Sequence, residues 1–182
     1  MSERNTTFVM TEGEQIPVVA DCDVVVVGAG PAGHAAAISA SRNGASVTLL
    51  ERYHHLGGMA SGGMVLVLDD MVNEGNEVVT TGIVSEFVER MEKQDAAVYP
   101  PREDCQTNSE MWQKWSRWGC IDFHKAMMPQ PIIHAVAFDP DGWKRVSLDM
   151  VREAKINLRT HSWFSDVLRE GGKITGVISQ TK

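Results

Sequence analysis

Hydrophobic and polar positions divide the N-terminal third of the chain into short, clearly bounded elements. A run of β-branched residues at 23–27 predicts a strand, an alanine-rich stretch at about 31–43 predicts a helix, and residues 46–50 predict a second strand. The Asn43-Gly44 pair ends this helix, because glycine readily adopts the left-handed conformation of a helix cap. The pattern is a βαβ unit, in which a crossover helix joins two parallel strands.

Amphipathic periodicity returns twice further along the chain. Residues 81–94 predict a helix whose apolar face is formed by Ile83, Phe87, Val88 and Met91. Asp139 is suited to cap a second helix, which begins near Pro140 and reaches about residue 154. The remaining patterns predict an edge segment at 16–19 within a leader, a parallel strand at 156–160, and a hairpin of strands at 162–169 and 173–179.

Three tryptophans fall within the segment between these helices. Trp112, Trp115 and Trp118 are spaced i, i+3 and i+6, so on a helix they form a stripe that drifts slowly around the axis. Such stripes are most often core. The wall of a substrate pocket and a subunit interface are the alternatives.

Glycines with a defined spacing follow the first strand directly. Gly28, Gly30 and Gly33 form a G-x-G-x-x-G motif at the point where the strand enters the helix, and Glu51 ends the second strand 21 residues after Gly30. Gly28 permits the tight turn, Gly30 lets backbone approach a pyrophosphate, and Gly33 lets the helix pack on the strand, while the acid accepts hydrogen bonds from a ribose diol. An ordinary tight turn with a solvated Glu51 would leave the spacing unexplained. The motif therefore predicts a dinucleotide site.

Two Gly-Gly pairs shortly after the acid narrow the choice of dinucleotide. The segment Leu56-Gly57-Gly58-Met59-Ala60-Ser61-Gly62-Gly63-Met64 suits an extended cofactor that needs close backbone approach beyond its pyrophosphate. Together with the first motif and the Leu49-Leu50-Glu51-Arg52 run, it resembles FAD-dependent oxidoreductases of the glutathione-reductase-type fold, most closely the fumarate reductase and succinate dehydrogenase flavoproteins. Motif and resemblance together give the expected FAD-binding residues: Gly28, Gly30, Pro31, Ala32, Gly33, Glu51, Arg52, Gly57, Gly58, Met59, Gly62, Gly63 and Phe164.

The resemblance implies a fold class and a domain organisation. The expected architecture is α/β, with a Rossmann-like FAD-binding domain of parallel sheet and antiparallel meander formed by residues 1–69 and 139–182. A mainly helical insertion at 70–138 would cover the flavin. Phe164 falls near the position whose backbone meets the adenine in this family.

The resemblance covers only the first portion of the family, whose next parallel strand and substrate half have no counterpart here. Valines 24–27 describe a strand buried on both faces with a neighbour on each side, yet the chain supplies only one neighbour. We expect a second polypeptide to complete the sheet and the flavin site. A piece of a longer single-chain enzyme and a self-sufficient nucleotide-binding module are the alternatives.

The expected chemistry is hydride transfer to or from a small organic substrate, because that is what FAD performs in such enzymes. A thiazole-synthase-like enzyme that consumes NAD and a non-catalytic nucleotide-binding subunit are the alternatives. Catalytic residues are not assigned. His124, His134, Arg117 and Arg145 have suitable chemistry to orient a substrate. His54 or His55 could attach FAD covalently, but their local pattern favours non-covalent binding.

Composition excludes several other classes of function. The net charge of −7 disfavours nucleic acid and anionic membranes as partners, and no apolar run approaches the length of a membrane span. The polar N-terminus and three cysteines (Cys22, Cys105 and Cys120) without metal spacing predict reduced thiols, a cytoplasmic protein and no metal site. His34, which follows the glycine motif, is expected to point away from the pyrophosphate.

Overall fold

The computed structural model describes residues 7–11, 13–69 and 71–181. Its strands are β1 Phe8–Thr11, β2 Glu14–Pro17, β3 Val24–Val27, β4 Val47–Leu50, β5 Val67–Leu68, β6 Ala97–Val98, β7 Val136–Phe138, β8 Asn157–Arg159, β9 Ser162–Glu170 and β10 Lys173–Thr181. Its α-helices are α1 Pro31–Arg42, α2 Met59–Gly62, α3 Ile83–Glu92, α4 Ser109–Trp115 and α5 Pro140–Glu153.

A parallel sheet of order β3-β4-β8 forms the centre of the fold. Val24 lies opposite Val47 and Thr48 lies opposite Asn157, so all three strands run in the same direction. Helix α1 crosses from β3 to β4, as the βαβ pattern predicts. The predicted α/β fold class, with parallel sheet and an antiparallel hairpin, is confirmed.

The first strand, β3, is an edge strand within the described residues, where it pairs with β4 alone. Val24 and Val26 are half-buried, whereas Val25 and Val27 are 37% and 51% exposed. This differs from the expectation of a strand buried on both faces. The same face opens onto a cavity of about 360 Å³ lined by residues of β2, β3, β4 and β10.

Helices α1, α3 and α5 cover the other face and bury the main core. Ile38, Leu49 and Met150 are almost fully buried there, with Phe87 and Trp143 beside them. The predicted helix ends are present. The Asp139 carboxylate accepts hydrogen bonds from the N–H groups of Asp141 and Gly142 at the start of α5, and Gly44 has φ +91° just after α1.

Three antiparallel sheets accompany the parallel sheet within the described residues, and one of them is the hairpin of β1 and β2 near the N-terminus. Strands β9 and β10 form the predicted hairpin, which turns at Gly171 and Gly172, both with positive φ. A short sheet of order β5-β7-β6 joins Val67 to Ala137 and Ala97 to Phe138. The sequence pattern does not predict this sheet. The expected insertion at residues 70–138 thus contains strands as well as α3 and α4, and its boundaries remain a prediction.

The tryptophan stripe is broken by a change of helix type. Helix α4 ends at Trp115, and Ser116–Trp118 form a 3-10 turn. Trp115 is buried in a second cluster with Cys120 and Ile132, while Trp118 is 41% exposed. The core interpretation is therefore confirmed for Trp115 but not for Trp118.

The predicted leader contains a hairpin of β1 and β2, which takes in part of the edge segment expected at 16–19. Residues 1–6 of that leader lie outside the described residues. Across residues 7–11, 13–69 and 71–181, every helix is too short or too polar to cross a membrane.

Candidate cofactor site

The predicted pyrophosphate loop connects β3 to α1, and its glycines have distinct geometries. Gly28 has φ +93°, a conformation that other residues rarely adopt, and its N–H donates to the carbonyl of Leu50 at 2.8 Å. A Cβ on Gly33 would lie 1.8 Å from the carbonyl oxygen of Gly28. Only glycine therefore fits at position 33, where the helix packs against the strand, as the motif predicts.

Gly30 is different, because it has both an ordinary backbone and open space in front of it. Its φ and ψ are −66° and 178°, and no atom lies within 4 Å of an added Cβ. Gly30 is the N-cap of α1, Pro31 follows at the first helical position, and the first turn has no acidic side chain. The free N–H groups and positive end of the helix are thus available to an anion in front of Gly30.

Glu51 is buried to 4% exposure at the end of β4, and its carboxylate is fixed by two backbone groups. One oxygen accepts from the N–H of Ala29 and the other from the N–H of Tyr53, each at 2.8 Å. The main chain of Glu51 also bonds to Arg159 and Ser162. The acid therefore has a rigid position beside the glycine loop. Each carboxylate oxygen retains acceptor capacity for a ribose hydroxyl.

The first Gly-Gly pair lies directly against the pyrophosphate loop. The N–H of Gly57 donates to the carbonyl of Ala29 at 2.8 Å, and a Cβ on Gly58 would lie 3.0 Å from the Cα of Gly30. Both residues have positive φ, +108° for Gly57 and +52° for Gly58. The structure thus brings together two motifs that are about 27 residues apart in sequence.

The other expected FAD contacts lie around this centre. Met59 is 70% exposed at the start of α2, and Phe164 is 50% exposed on β9, two residues after Ser162. Gly62 packs on the His55 ring, where a Cβ would lie 2.8 Å from Cε1, and Gly63 packs on Met59. The Arg52 guanidinium lies 4.8 Å from the centre of the Tyr53 ring.

Histidines near the glycine motifs have protein partners. His34 Nε2 lies 3.2 Å from the carbonyl oxygen of Ser147, so its side chain points toward α5, as expected. Burial lowers the pKa of His34, an effect that this hydrogen bond opposes. His55 Nδ1 lies 3.2 Å from the Ser61 hydroxyl, and the His54 ring lies 4.9 Å from the His55 ring.

The residues proposed to orient a substrate lie on separate elements. His134 packs against Tyr99 and lines a cavity of about 360 Å³ with Asn76, Arg102 and Cys105. Arg145, on α5, hydrogen-bonds to Gln94 and forms an ion pair with Asp139, whereas Arg117 lies over the Trp118 ring. His124 lies in an exposed loop, where its N–H donates to Asp122. These contacts do not define a common catalytic centre among the described residues.

Cysteine chemistry does not contribute to this site. Cys22, Cys105 and Cys120 are all free thiols. Burial raises the pKa of Cys120 to about 11 and also raises the pKa of Cys105, so both remain protonated near neutral pH. Within the described residues, no group of three or more His, Cys, Asp or Glu side chains could hold a metal ion.

Trp143 lies beside this site and is missed by the sequence motifs. It lies on α5, more than 80 residues after Gly57, and its indole edge would be 2.5 Å from a Cβ on that glycine. The only signal in the sequence is an apolar position in an amphipathic helix, which indicates core and not a role at the loop.

Comparison with known proteins identifies the family of this chain. Residues 23–182 match the sequence profile of the FAD dependent oxidoreductase family. The chain belongs to this family. The expectation of FAD as cofactor is thereby confirmed at the level of the family, and the glycine loop and open helix end fit the pyrophosphate of such a cofactor.

Individual proteins that are similar to this chain match it over only part of their own length. A vinyl phenol reductase from Lactiplantibacillus plantarum is 35% identical over 96 residues, which are 50% of this chain and 20% of the reductase. THI4 from Thermovibrio ammonificans has a similar structure (TM-score 0.53, 17% identity), over 88% of this chain and 48% of that one. Glycerol-3-phosphate dehydrogenase from Bacillus halodurans, in complex with FAD, is also similar (TM-score 0.50, 16% identity), over 89% and 31% of the two chains. The chain thus spans at most about half the length of these proteins.

Proposed function

We propose that this chain forms the FAD-binding part of an oxidoreductase that transfers hydride to or from a small organic substrate. The observation that supports this most directly is the contact between Gly58 and Gly30, beside open space at a helix N-terminus. A pyrophosphate is expected there, because a helix N-terminus offers unpaired backbone donors and an added Cβ on Gly30 would meet no atom within 4 Å. Family membership and the similarity to a reductase support the redox chemistry.

Each expected contact has a role in this proposal. Gly28, Gly30, Pro31, Ala32 and Gly33 form the turn and helix end that hold the pyrophosphate. Glu51 accepts hydrogen bonds from the adenosine ribose, with Arg52 beside it and Phe164 near the adenine. Gly57, Gly58, Met59, Gly62 and Gly63 lie along the ribityl chain and ring. The bound flavin supplies the hydride chemistry, while these residues orient it and exclude water.

We also propose that further polypeptide completes the site, as a second subunit or as more of a longer chain. Within the described residues one edge of β3 is unpaired, and this edge and the exposed side chains of Val25 and Val27 support the proposal, because an apolar edge strand promotes aggregation when it is left open. We further propose that the protein is related to the fumarate reductase flavoproteins and is located in the cytoplasm. Substrate-dependent bleaching of the flavin in the assembled protein would distinguish an enzyme from a non-catalytic subunit.

Gly30→Val provides a direct test of the pyrophosphate site. Because Gly30 has an ordinary φ and no atom within 4 Å of an added Cβ, valine should fold normally yet occupy the space of the phosphates. We expect FAD binding to weaken by at least about tenfold, or 1.4 kcal/mol, with the circular dichroism spectrum unchanged. The measurement is a flavin-fluorescence titration of the apoprotein in its native assembly.

Gly75→Val is the matched control for this experiment. Gly75 lies in an exposed turn, where an added Cβ would meet only Asn73 and Glu77. It should bind FAD as the wild type does. Full FAD affinity in Gly30→Val would overturn the pyrophosphate assignment. Release of an adenylated thiazole in place of a yellow flavin would instead favour the thiazole-synthase-like alternative.

A further inference from the structure

We infer that Trp143 is a positioning residue for the cofactor site: its indole holds the Gly57-Gly58 turn against Gly30. This inference rests on the proposed function, since the turn matters only if the loop at Gly30 binds the pyrophosphate. An added Cβ on Gly57 would lie 2.5 Å from Cδ1 and 2.6 Å from Nε1 of Trp143. The edge of the five-membered ring therefore packs directly on the glycine.

The turn needs such a support because its own backbone is permissive. Gly57 and Gly58 are consecutive residues with φ +108° and +52°, and glycine visits many other conformations at little cost. A shift of this turn would move Gly58, whose added Cβ would lie only 3.0 Å from the Cα of Gly30. The shape of the phosphate site therefore depends on what holds Gly57.

Trp143 is itself held rigidly. It is 5% exposed, and its ring centre lies 4.5 Å from that of Phe87 and 4.8 Å from that of Phe138. The backbone N–H of Trp143 donates to the carbonyl of Asp139, the residue that caps α5. The helix start and the aromatic cluster thus fix the position of the indole, and the indole in turn restrains the glycine turn that packs on it.

Hydrogen bonds extend this support to the ribose side of the site. Gly57 donates to the Ala29 carbonyl, and Ala29 donates to the Glu51 carboxylate, each at 2.8 Å. Ser61 reinforces the turn from α2, because its hydroxyl donates to the Leu56 carbonyl at 2.6 Å. Trp143 therefore contacts the glycine that donates to Ala29, the loop residue whose own N–H holds the Glu51 carboxylate.

Trp143→Ala removes both atoms that touch Gly57, Cδ1 and Nε1 of the indole, whereas a phenylalanine ring would occupy nearly the same positions. We expect FAD binding by the protein in its native assembly to weaken by about three- to tenfold. Trp115→Ala is the matched control, because Trp115 is about as buried as Trp143 but lies in the second cluster with Cys120 and Ile132. It should lower the melting temperature to a similar extent and leave the FAD dissociation constant unchanged.

A double-mutant cycle isolates the contact from general destabilisation. Gly57→Ala introduces backbone strain at φ +108° whether or not Trp143 is present, so the strain weakens FAD binding equally in both backgrounds and cancels in the cycle. The collision of the new Cβ with the indole occurs only where Trp143 is present, so it does not cancel. Gly57→Ala should weaken FAD binding at least about threefold more in the wild type than in Trp143→Ala. Equal losses in the two backgrounds would overturn the inference.

Fluorine NMR of 5-fluorotryptophan protein gives a readout that does not depend on a folded Trp143 variant. The chain has five tryptophans, and Trp→Phe variants at the other four positions assign the Trp143 resonance by elimination. This resonance should shift when FAD is added, whereas that of Trp115 should not. A wild type that binds FAD without a shift at Trp143 overturns this inference alone. A wild type that does not bind FAD overturns the proposed function and this inference with it.

Discussion

At the scale of single residues, the candidate site is made mainly by backbone. Gly33 is required because a Cβ would enter the carbonyl of Gly28, while a Cβ on Gly30 would point into open space, which leaves room for a ligand on that side. The sequence motif predicts the close packing at Gly33 from spacing alone, and its assignment of Gly30 to the pyrophosphate stays a prediction. It gives no indication that Glu51 is fixed by the N–H groups of Ala29 and Tyr53, because those contacts depend on the packed loop.

His34 gives the protein a pH dependence that can be measured. Burial lowers its pKa in the folded state, so below the ordinary value of about 6.5 the unfolded chain binds a proton that the folded chain does not. Stability should therefore be greatest above that pH and fall as the pH decreases toward the folded-state pKa, by at most about 1.4 kcal/mol per pH unit.

Urea denaturation at a series of pH values between about 7.5 and 5 tests this prediction. His34→Gln keeps a donor for the Ser147 carbonyl but cannot titrate, so its stability should vary less over this range. His124→Gln, in an exposed loop, should retain the dependence of the wild type. An unchanged slope in His34→Gln would show that another group is responsible.

At the scale of elements, local signals predict the parts of the fold that are continuous in sequence. The βαβ unit, α5 and the β9–β10 hairpin follow from periodicity, caps and turn glycines. The β5-β7-β6 sheet does not, because its strands have two or three residues and pair positions about 40 to 70 residues apart. Likewise, the end of α4 at Trp115 has no local breaker in the sequence, since Ser116 continues an otherwise helical pattern.

The cap of α5 connects an element to the candidate site. Asp139 accepts from Asp141 and Gly142 at the start of the helix that carries Trp143. Asp139→Ala should reduce the free energy of unfolding by about 1 kcal/mol, because two backbone donors lose their acceptor, whereas Asp139→Asn should cost much less. Chemical denaturation of both variants is the measurement, and equal losses would mean that the side chain acts through charge and not as a cap.

At the scale of the whole molecule, the open edge of β3 is the feature that most needs an explanation. Val24 and Gly28 donate their N–H groups to Ser46 and Leu50, next to and on β4. Since successive residues of a strand bond to opposite neighbours, the N–H groups of Val25 and Val27 point to the open edge. A further strand there would satisfy them and cover side chains that are 37% and 51% exposed.

Amide hydrogen exchange can therefore decide whether β3 is an edge in the working protein. In the isolated chain, the amides of Val25 and Val27 should exchange rapidly, and those of Val24 and Gly28 slowly, because only the latter are bonded within this sheet. In the protein purified with its natural partners, or within its full-length chain, all four should exchange slowly. The Val24 and Gly28 amides serve as internal controls for folding. Rapid exchange at Val25 and Val27 in that assembled protein would mean that no strand completes the sheet, and that this part of the fold binds its cofactor with β3 exposed.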